Sequence, residues 1–409
     1  MRLLILTQYF PPEVGAPQNR LLELAVRLQK MGVDVSILTA MPNYPKMIIH
    51  SIYAGKKYHY EEMEKLKVHR SSIYVSADRS IIKRLLNYFS FVYSSYRIGL
   101  KKTGEFDFIF CESPPLFLGI SAYLLAKSKK SKLIFNVSDL WPESAEKLGL
   151  VTNKFLLGIS TRLEEFLYRK SALITGQTKG IVSNIKSRFP DKLVYWLPNG
   201  VDLNYYDPSQ YNCDWKKNAG FNDDDLLFFY GGIIGHAQGL DIILNAANHL
   251  KERKNIKFLL LGDGPEKERL VKKAESLGLK NIYFREPVSK KEMPHIVAAI
   301  TASIIPLKKL DLFKGAIPSK VFESLAMKKP ILLGVDGEAK DLFIEEGKCG
   351  LFFTPESDVE LADCIIYLTK HPEEVKQWGE NARSYVDRKF NRNQIANDFY
   401  LLLKSRLHN

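Results

Sequence analysis

MRLLILTQYFPPEVGAPQNRLLELAVRLQKMGVDVSILTA, residues 1–40, carries the reading on which the fold turns. Residues 2–9 open as an apolar run of the kind found in a strand buried on both faces. Residues 17–31 place Leu21, Leu24, Leu28 and Met31 on one helical stripe that stops at Gly32. Residues 33–40, Val-Asp-Val-Ser-Ile-Leu-Thr-Ala, return as a strand. A strand, a crossover helix and a second strand make a βαβ unit, which predicts a parallel sheet.

The pattern continues outward. Strand candidates at 106–110, 132–137, 172–175 and 193–197 are separated by helical stretches, so the first half reads as a doubly wound parallel sheet. Leu197-Pro198-Asn199-Gly200, and the polar, aromatic stretch that runs on to about Asp225, signal a boundary. A second series follows: strand 226–230, helix 238–252, strand 256–261, helix 265–277, then strands near 281–284, 300–305 and 330–334. Residues 372–407 carry helical periodicity broken near Asn391. The expectation is α/β, with two Rossmann-like domains flanking a cleft: residues 1–203, with 391–409 packing back on them, and residues 204–390.

Composition narrows the classes. The 409 residues are 45% hydrophobic and 26% charged, which suits two globular domains. Leu3 to Leu6 is far too short for a signal-peptide core, and no window reaches the roughly 18 apolar residues of a membrane span. Cys111, Cys213, Cys349 and Cys364 show no Cys-x-x-Cys spacing and the eight histidines form no paired ligand pattern, so a reducing cytoplasm and no metal are expected. Charge is uneven. Residues 1–200 hold 29 Lys+Arg against 16 Asp+Glu, and residues 201–409 hold 30 of each, so the whole +13 lies in the first half (29 − 16). That half should face something anionic: a lipid headgroup, a pyrophosphate substrate or a nucleic acid.

Several segments carry chemistry. The loop 10–17, with Gly15, joins the first strand to the first helix, where amides approach an anion, although a turn needed by the fold alone has the same look. In Ile317-Pro318-Ser319-Lys320-Val321-Phe322-Glu323, Ser319 is placed to cap a helix starting at Lys320. Lys320 and Glu323 then share a face, a lysine for phosphates and a carboxylate for ribose hydroxyls. The plainer reading is a capped surface helix with a weak ion pair. Asn136-Val137-Ser138-Asp139 closes a strand at its carboxyl end, where Asp139 either receives an acceptor proton or caps the helix before Pro142. Glu112 ends another strand. Residues 79–102 mix cations with aliphatic and aromatic side chains and suit either an interfacial helix on anionic lipid or a helix packed on its own domain.

Leu197-Pro198-Asn199-Gly200-Val201-Asp202, Leu260-Leu261-Gly262-Asp263-Gly264-Pro265 and the Lys320–Glu323 segment together resemble glycosyltransferase family 4. The resemblance implies a GT-B fold whose last helix crosses back to the first domain, with a retaining transferase activity. Glu323 matches the second glutamate of the family's Glu-x7-Glu signature, but Gly315 stands where the first would be. In the Gly231–Gly239 loop, the family's diphosphate-neutralising Arg and Lys correspond to Ile233 and Gln238. Lys320, then Lys308 or Lys314, are the replacement cations. Residues 313–320 and Asp139-Leu140-Trp141-Pro142-Glu143-Ser144 resemble a branch of fucosamine-type transferases.

What the resemblance implies is a donor site of Gly232, Gly235, Gln238, Gly262, Arg285, Gly315, Ser319, Lys320 and Glu323. The acceptor side is Gly15, Glu112 and Asp139, with Asp139 and Lys320 catalytic. The expected donor is a UDP-N-acetylhexosamine, including deoxy types such as N-acetylfucosamine, and the acceptor a polyprenyl-diphosphate-linked saccharide used in capsule or O-antigen synthesis. No cofactor or metal is expected, and the chain should be cytoplasmic, peripheral on an anionic inner membrane face. Two other classes remain: a non-hydrolysing UDP-sugar epimerase, separated by assay for sugar interconversion, and a nucleic-acid binder, suggested by pI 9.3 but lacking any recognisable module.

Overall fold

The computed structural model describes residues 1–13, 15–44, 47–78, 80–147, 151, 153–211 and 214–407. Arg79 and Cys213 fall outside these residues. The chain divides into two compact units, Met1–Asn199 with Arg392–Asn409, and Gly200–Asn391.

The first unit is built on eight strands: β1 (Arg2–Leu6), β2 (Asp34–Ala40), β3 (Tyr58–Met63), β4 (Leu66–Ser71), β5 (Phe108–Ser113), β6 (Lys132–Val137), β7 (Leu173–Gly176) and β8 (Val194–Trp196). Their order is β3-β4-β2-β1-β5-β6-β7-β8, and every pair is parallel except β3–β4. The apolar runs are apolar because both faces are covered: Leu4 and Leu6 belong to one core layer, Leu3 and Ile5 to the other. Helix α1 (Ala16–Lys30) buries Leu21, Leu24 and Leu28 on the sheet. Helix α2 (Ile81–Lys102) lies against the helix Leu118–Lys129.

The β3–β4 hairpin was not legible as strands. Tyr-His-Tyr-Glu-Glu-Met in β3 has no fully buried position, because it forms the sheet's edge.

The second unit is a six-stranded, wholly parallel sheet of β9 (Leu226–Gly231), β10 (Ile256–Leu261), β11 (Ile282–Arg285), β12 (Ala302–Pro306), β13 (Ile331–Gly334) and β14 (Gly350–Phe352). Its order is β11-β10-β9-β12-β13-β14. The helix expected over 238–252 is shorter: a 3-10 turn at His236–Gln238 ends in left-handed Gly239, and the helix proper runs Asp241–His249. The C-terminal helical stretch breaks where expected, into Pro372–Phe390 and Arg392–Ser405.

The last of these helices belongs to the first unit, as a GT-B chain requires. Arg392 pairs with Glu23, Arg27 donates to Asn393 at 2.7 Å, and fully buried Phe399 packs its ring 6.0 Å from Phe110. Each sheet also has one point where successive connections leave in opposite directions: between β1 and β5 in the first unit, and between β9 and β12 in the second. Loops diverge there at the strands' carboxyl ends and leave open the crevice where ligands of such sheets bind. No helix among the described residues is long and apolar enough to cross a membrane.

Phe399→Ala removes a buried ring that ties the end of the chain to the first unit. Urea unfolding should show a loss of about 3–5 kcal/mol, whereas Leu401→Ala, on the half-exposed face of the same helix, should cost well under 1 kcal/mol.

Candidate functional site

In the second unit, β9 and β10 end side by side, with Gly231 opposite Leu261. The turns that follow stay in contact. Gly232 donates its amide to Leu261 O at 2.9 Å, Ile234 to Asp263 O at 2.9 Å, and Glu266 to Ile234 O at 3.0 Å. So close an approach leaves no room for side chains. Gly262 (φ +150°) and Gly264 (φ +153°) hold backbone angles that other residues rarely adopt, and a Cβ on either would strike the carbonyl oxygen of Gly232 or Ile234.

Lys320 opens a short helix, Lys320–Ala326, that follows β12 across the switch point. Its ammonium lies 3.7 Å from the centroid of the Tyr230 ring and 3.2 Å from where a Cβ on Gly232 would stand. Tyr230 is fully buried, and its hydroxyl donates to Ile233 O at 2.5 Å. Lys320 is half-buried by area. Desolvation pushes its pKa down to about 7, while the charge of Glu323 one turn along works against that drop. Lys320 and Glu323 share the wall of a small cavity with Phe229, Gly231, Ser303 and Ile305; its volume is about 20 Å³, room for about one water.

Ser319 departs from expectation. The helix begins at Lys320, but Ser319 sits in right-handed helical angles and makes no side-chain cap. From that conformation its hydroxyl does not reach the first amides, and those of Val321 and Phe322 bond instead to Pro318 O and Ser319 O. What Lys320 adds to this site is therefore its side chain, not an open helix end.

The remaining donor-side candidates divide. Gln238 folds over Gly235, its Oε1 3.0 Å from where a Cβ would sit, and the Lys308 stem lies beside Gly239. Arg285 is exposed at the end of β11 and donates to Ala219 O at 3.2 Å. Gly315 is exposed, with nothing within 4 Å of an added Cβ. Neither Arg285 nor Gly315 lines the cavity. Lys314 forms an ion pair with Asp311 at 2.8 Å, which raises its pKa.

In the first unit a polar ladder crosses the carboxyl ends of three adjacent strands. Glu112 of β5 lies opposite Asn136 of β6, which lies opposite Thr175 of β7. Asn136 donates to Glu112 at 2.7 Å and accepts from Thr175 at 2.7 Å. Glu112 is 3% exposed. Its charge is met by Arg20 of α1 at 2.6 Å, across the β1/β5 switch point, and Ser138 donates to the same carboxylate oxygen. This is a buried ion pair with its hydrogen bonds supplied, the arrangement in which such a pair persists.

Glu112 is thus fully engaged, whereas Asp139, just beyond β6, stays exposed and takes no hydrogen bond from a described residue. It does not cap the following helix. Crowding by the surrounding protein and then the Glu112 charge raise its pKa, while Arg20 lowers it. Gly15 precedes α1 with extended backbone (φ 175°) that any residue could adopt. What it provides is space, since a Cβ there would strike the Gln18 side chain.

Arg20 and Tyr230 were missed as site residues. The available signal was polarity inside apolar strands, at Glu112, Asn136 and Thr175, which demands a buried cation nearby. Among the described residues no group of three or more His, Cys, Asp or Glu is placed to hold a metal. Cys111 and Cys349 are buried thiols.

With this geometry in view, residues 18–205 match the family model described as Glycosyltransferase Family 4, and residues 213–385 that described as Glycosyl transferases group 1. WcaI of Escherichia coli (strain K12), assigned to colanic acid biosynthesis as a glycosyl transferase, is 26% identical over 338 residues, 80% of this chain and 81% of its own. The O-antigen chain mannosyltransferase C of Escherichia coli is 22% identical over 63% of this chain and 67% of its own. Among solved structures, the sucrose-phosphate synthase of Thermosynechococcus elongatus superimposes with TM-score 0.77 at 14% identity, over 100% of this chain and 99% of that one. Anabaena Alr3699/HepE in complex with UDP and glucose gives 0.70 at 15%, over 99% and 100%. Likeness at such identity establishes the shared GT-B fold.

Gly262→Ala should cost about 2 kcal/mol or more, since the new methyl meets a backbone carbonyl in a disfavoured conformation, and should open the cradle under Lys320. Gly315→Ala, in open space, should leave stability within about 0.5 kcal/mol. Paired thermal melts check both.

Proposed function

From a chain that belongs to the glycosyltransferases, family 4 through its first half and group 1 through its second, we propose a retaining, metal-independent transferase of surface-polysaccharide biosynthesis. It moves an N-acetylhexosamine or N-acetyl-deoxyhexosamine, such as N-acetylfucosamine, from a UDP-sugar to a polyprenyl-diphosphate-linked saccharide at the cytoplasmic membrane face. The observation that carries this reading is the Lys320 amine held over Tyr230 beside Gly232 at the β9/β12 switch point. A cation poorly solvated by the protein around it gains most from a diphosphate. The UDP-containing relatives in the fold and the two polysaccharide-linked transferases above support the substrate classes.

In this reading Lys320 meets the diphosphate, Glu323 accepts from ribose hydroxyls, and the bare backbone at Gly232, beside the Lys320 amine, lets phosphate oxygens come close, while Gly262 serves the packing of the two turns. The bond from the anomeric carbon to the β-phosphate oxygen breaks, and its electron pair stays with UDP. The acceptor hydroxyl oxygen bonds to the same face of that carbon. Its proton passes to a leaving phosphate oxygen; on the first unit Asp139, with a raised pKa and an open carboxylate, is the candidate base for the acceptor. Charge on the leaving diphosphate grows toward the transition state, so Lys320 acts mainly on turnover. Glu112 and Arg20, already paired, shape the acceptor crevice.

Glu323→Ala should weaken UDP binding by about 1.5–3 kcal/mol, the worth of a charged hydrogen bond, in a protein that still folds. Lys320→Met should lower kcat more than tenfold, over about 1.4 kcal/mol, with a smaller effect on donor affinity. A tenfold or smaller fall moves the role to Lys308, since Lys314 is already committed to Asp311. Gly315→Glu, sterically permitted, should give no gain. The assay follows labelled UDP-sugars with lipid extract, with and without EDTA; interconversion of free UDP-sugars without transfer identifies an epimerase instead.

A further inference from the structure

Helix α2 is unusually polar on the side that packs on its own domain. Its buried face includes Asn87, Ser94, Ser95 and Gly99 beside one fully buried large apolar side chain, Phe91, with Tyr96 and Ile98 partly buried against the same core. Those polar groups are satisfied. Asn87 donates to Tyr74 O at 2.6 Å and accepts from Gln8 at 3.0 Å, while Ser94 bonds Ser71 at 3.0 Å and Ser95 bonds Ser121 at 2.8 Å. The opposite face carries Ile82, Leu86, Phe89, Tyr93 and Leu100, spaced by four, three, four and seven residues in one line along the helix, each 40–67% exposed, with Phe89 also resting one side of its ring 4.9 Å from that of Phe117. A contiguous solvent-facing stripe of this kind marks an interaction surface.

Charge selects the partner. Residues 81–102 contain Lys83, Arg84, Arg97, Lys101 and Lys102 and no acidic residue. Arg97 emerges within the stripe, its guanidinium donating to the Tyr93 hydroxyl at 2.9 Å, and Lys83 donates to the Tyr74 hydroxyl at 3.1 Å. Two copies of such a stripe placed together would bury like charges against each other. An anionic bilayer accepts both features: the side chains of the stripe enter the acyl boundary while the cations meet the headgroups.

We propose that the outward face of α2 is a membrane-docking surface, lying flat on an anionic bilayer with Ile82, Leu86, Phe89, Tyr93 and Leu100 inserted. The helix is roughly 33 Å long and rests on the interface without spanning it. The purpose of the docking rests on the lipid-linked acceptor reading, but its measurement needs no catalysis.

The full chain is floated with vesicles of phosphatidylcholine, with and without phosphatidylglycerol. Wild type should float with the phosphatidylglycerol vesicles and release as salt rises. The triple variant Ile82→Gln/Phe89→Gln/Tyr93→Gln should partition at least tenfold less, with unchanged UDP binding as proof of folding. Phe89→Trp, which keeps an aromatic anchor, should bind and shift its emission to the blue on vesicle addition. Wild type that does not float, a triple variant that floats like wild type, or emission from the Phe89→Trp variant that bound vesicles leave unmoved would overturn the proposal. So would sedimentation showing a wild-type dimer that the triple variant dissolves, since a second copy would then cover the stripe. If vesicle binding behaves as stated and no acceptor lipid is ever glycosylated, the functional reading fails and the docking surface stands.

Discussion

Backbone touching backbone, where the turns after β9 and β10 meet, is the constraint from which the second unit's site follows. Only with Gly262 and Gly264 can the two turns lie so close, and beside Gly232 the Lys320 ammonium comes down on the Tyr230 ring. The aromatic face offers a cation part of what water would, but not all. The pKa of about 7, against an ordinary 10.5, records the shortfall. The sign matters. A lysine with a depressed folded-state pKa binds fewer protons folded than unfolded between those two values, so the protein gains stability as pH rises from 7 toward 10.5 and loses it as pH falls. A bound diphosphate reverses the imbalance.

The two units reach comparable places by different chemistry. Both put their charged groups where a parallel sheet switches direction, because every other edge of a doubly covered sheet is closed by its own helices. In the first unit the charge is neutralised internally: Arg20 answers Glu112, and Asn136 and Thr175 complete the ladder. Such a network fixes the crevice and leaves Asp139 as its unengaged acid. In the second unit the Lys320 amine has the Tyr230 ring and the nearby Glu323 charge about it, and desolvation still outweighs them.

Much of this was readable in residues 1–40 and their repeats, because strands buried on both faces must be apolar from end to end. The second series of strands and the break at Asn391 followed from the same periodicity. What escaped had local causes. The hairpin β3–β4 lies at an edge and carries polar residues, so no apolar run announced it. Ser319 precedes its helix as a cap would, yet cap geometry depends on backbone angles that composition does not determine. Arg20 and Glu112 are separated by 92 residues, and Lys320 meets Tyr230 through the sheet order, so neither pair is local. For residues 79–102 two placements stayed open, because cations and apolar side chains are mixed along the segment and only the fold shows that Asn87, Ser94 and Ser95 face inward.

The central claim is that burial over Tyr230 disfavours the charged form of Lys320, and that the amine takes up a proton when it meets a nucleoside diphosphate. Calorimetric titration of UDP at about pH 8, in two buffers of differing ionisation enthalpy, counts the protons taken up on binding. With a free pKa of about 7, uptake should approach one proton per UDP and vanish in Lys320→Met. Binding without proton uptake at that pH, or uptake that survives Lys320→Met, would contradict the account.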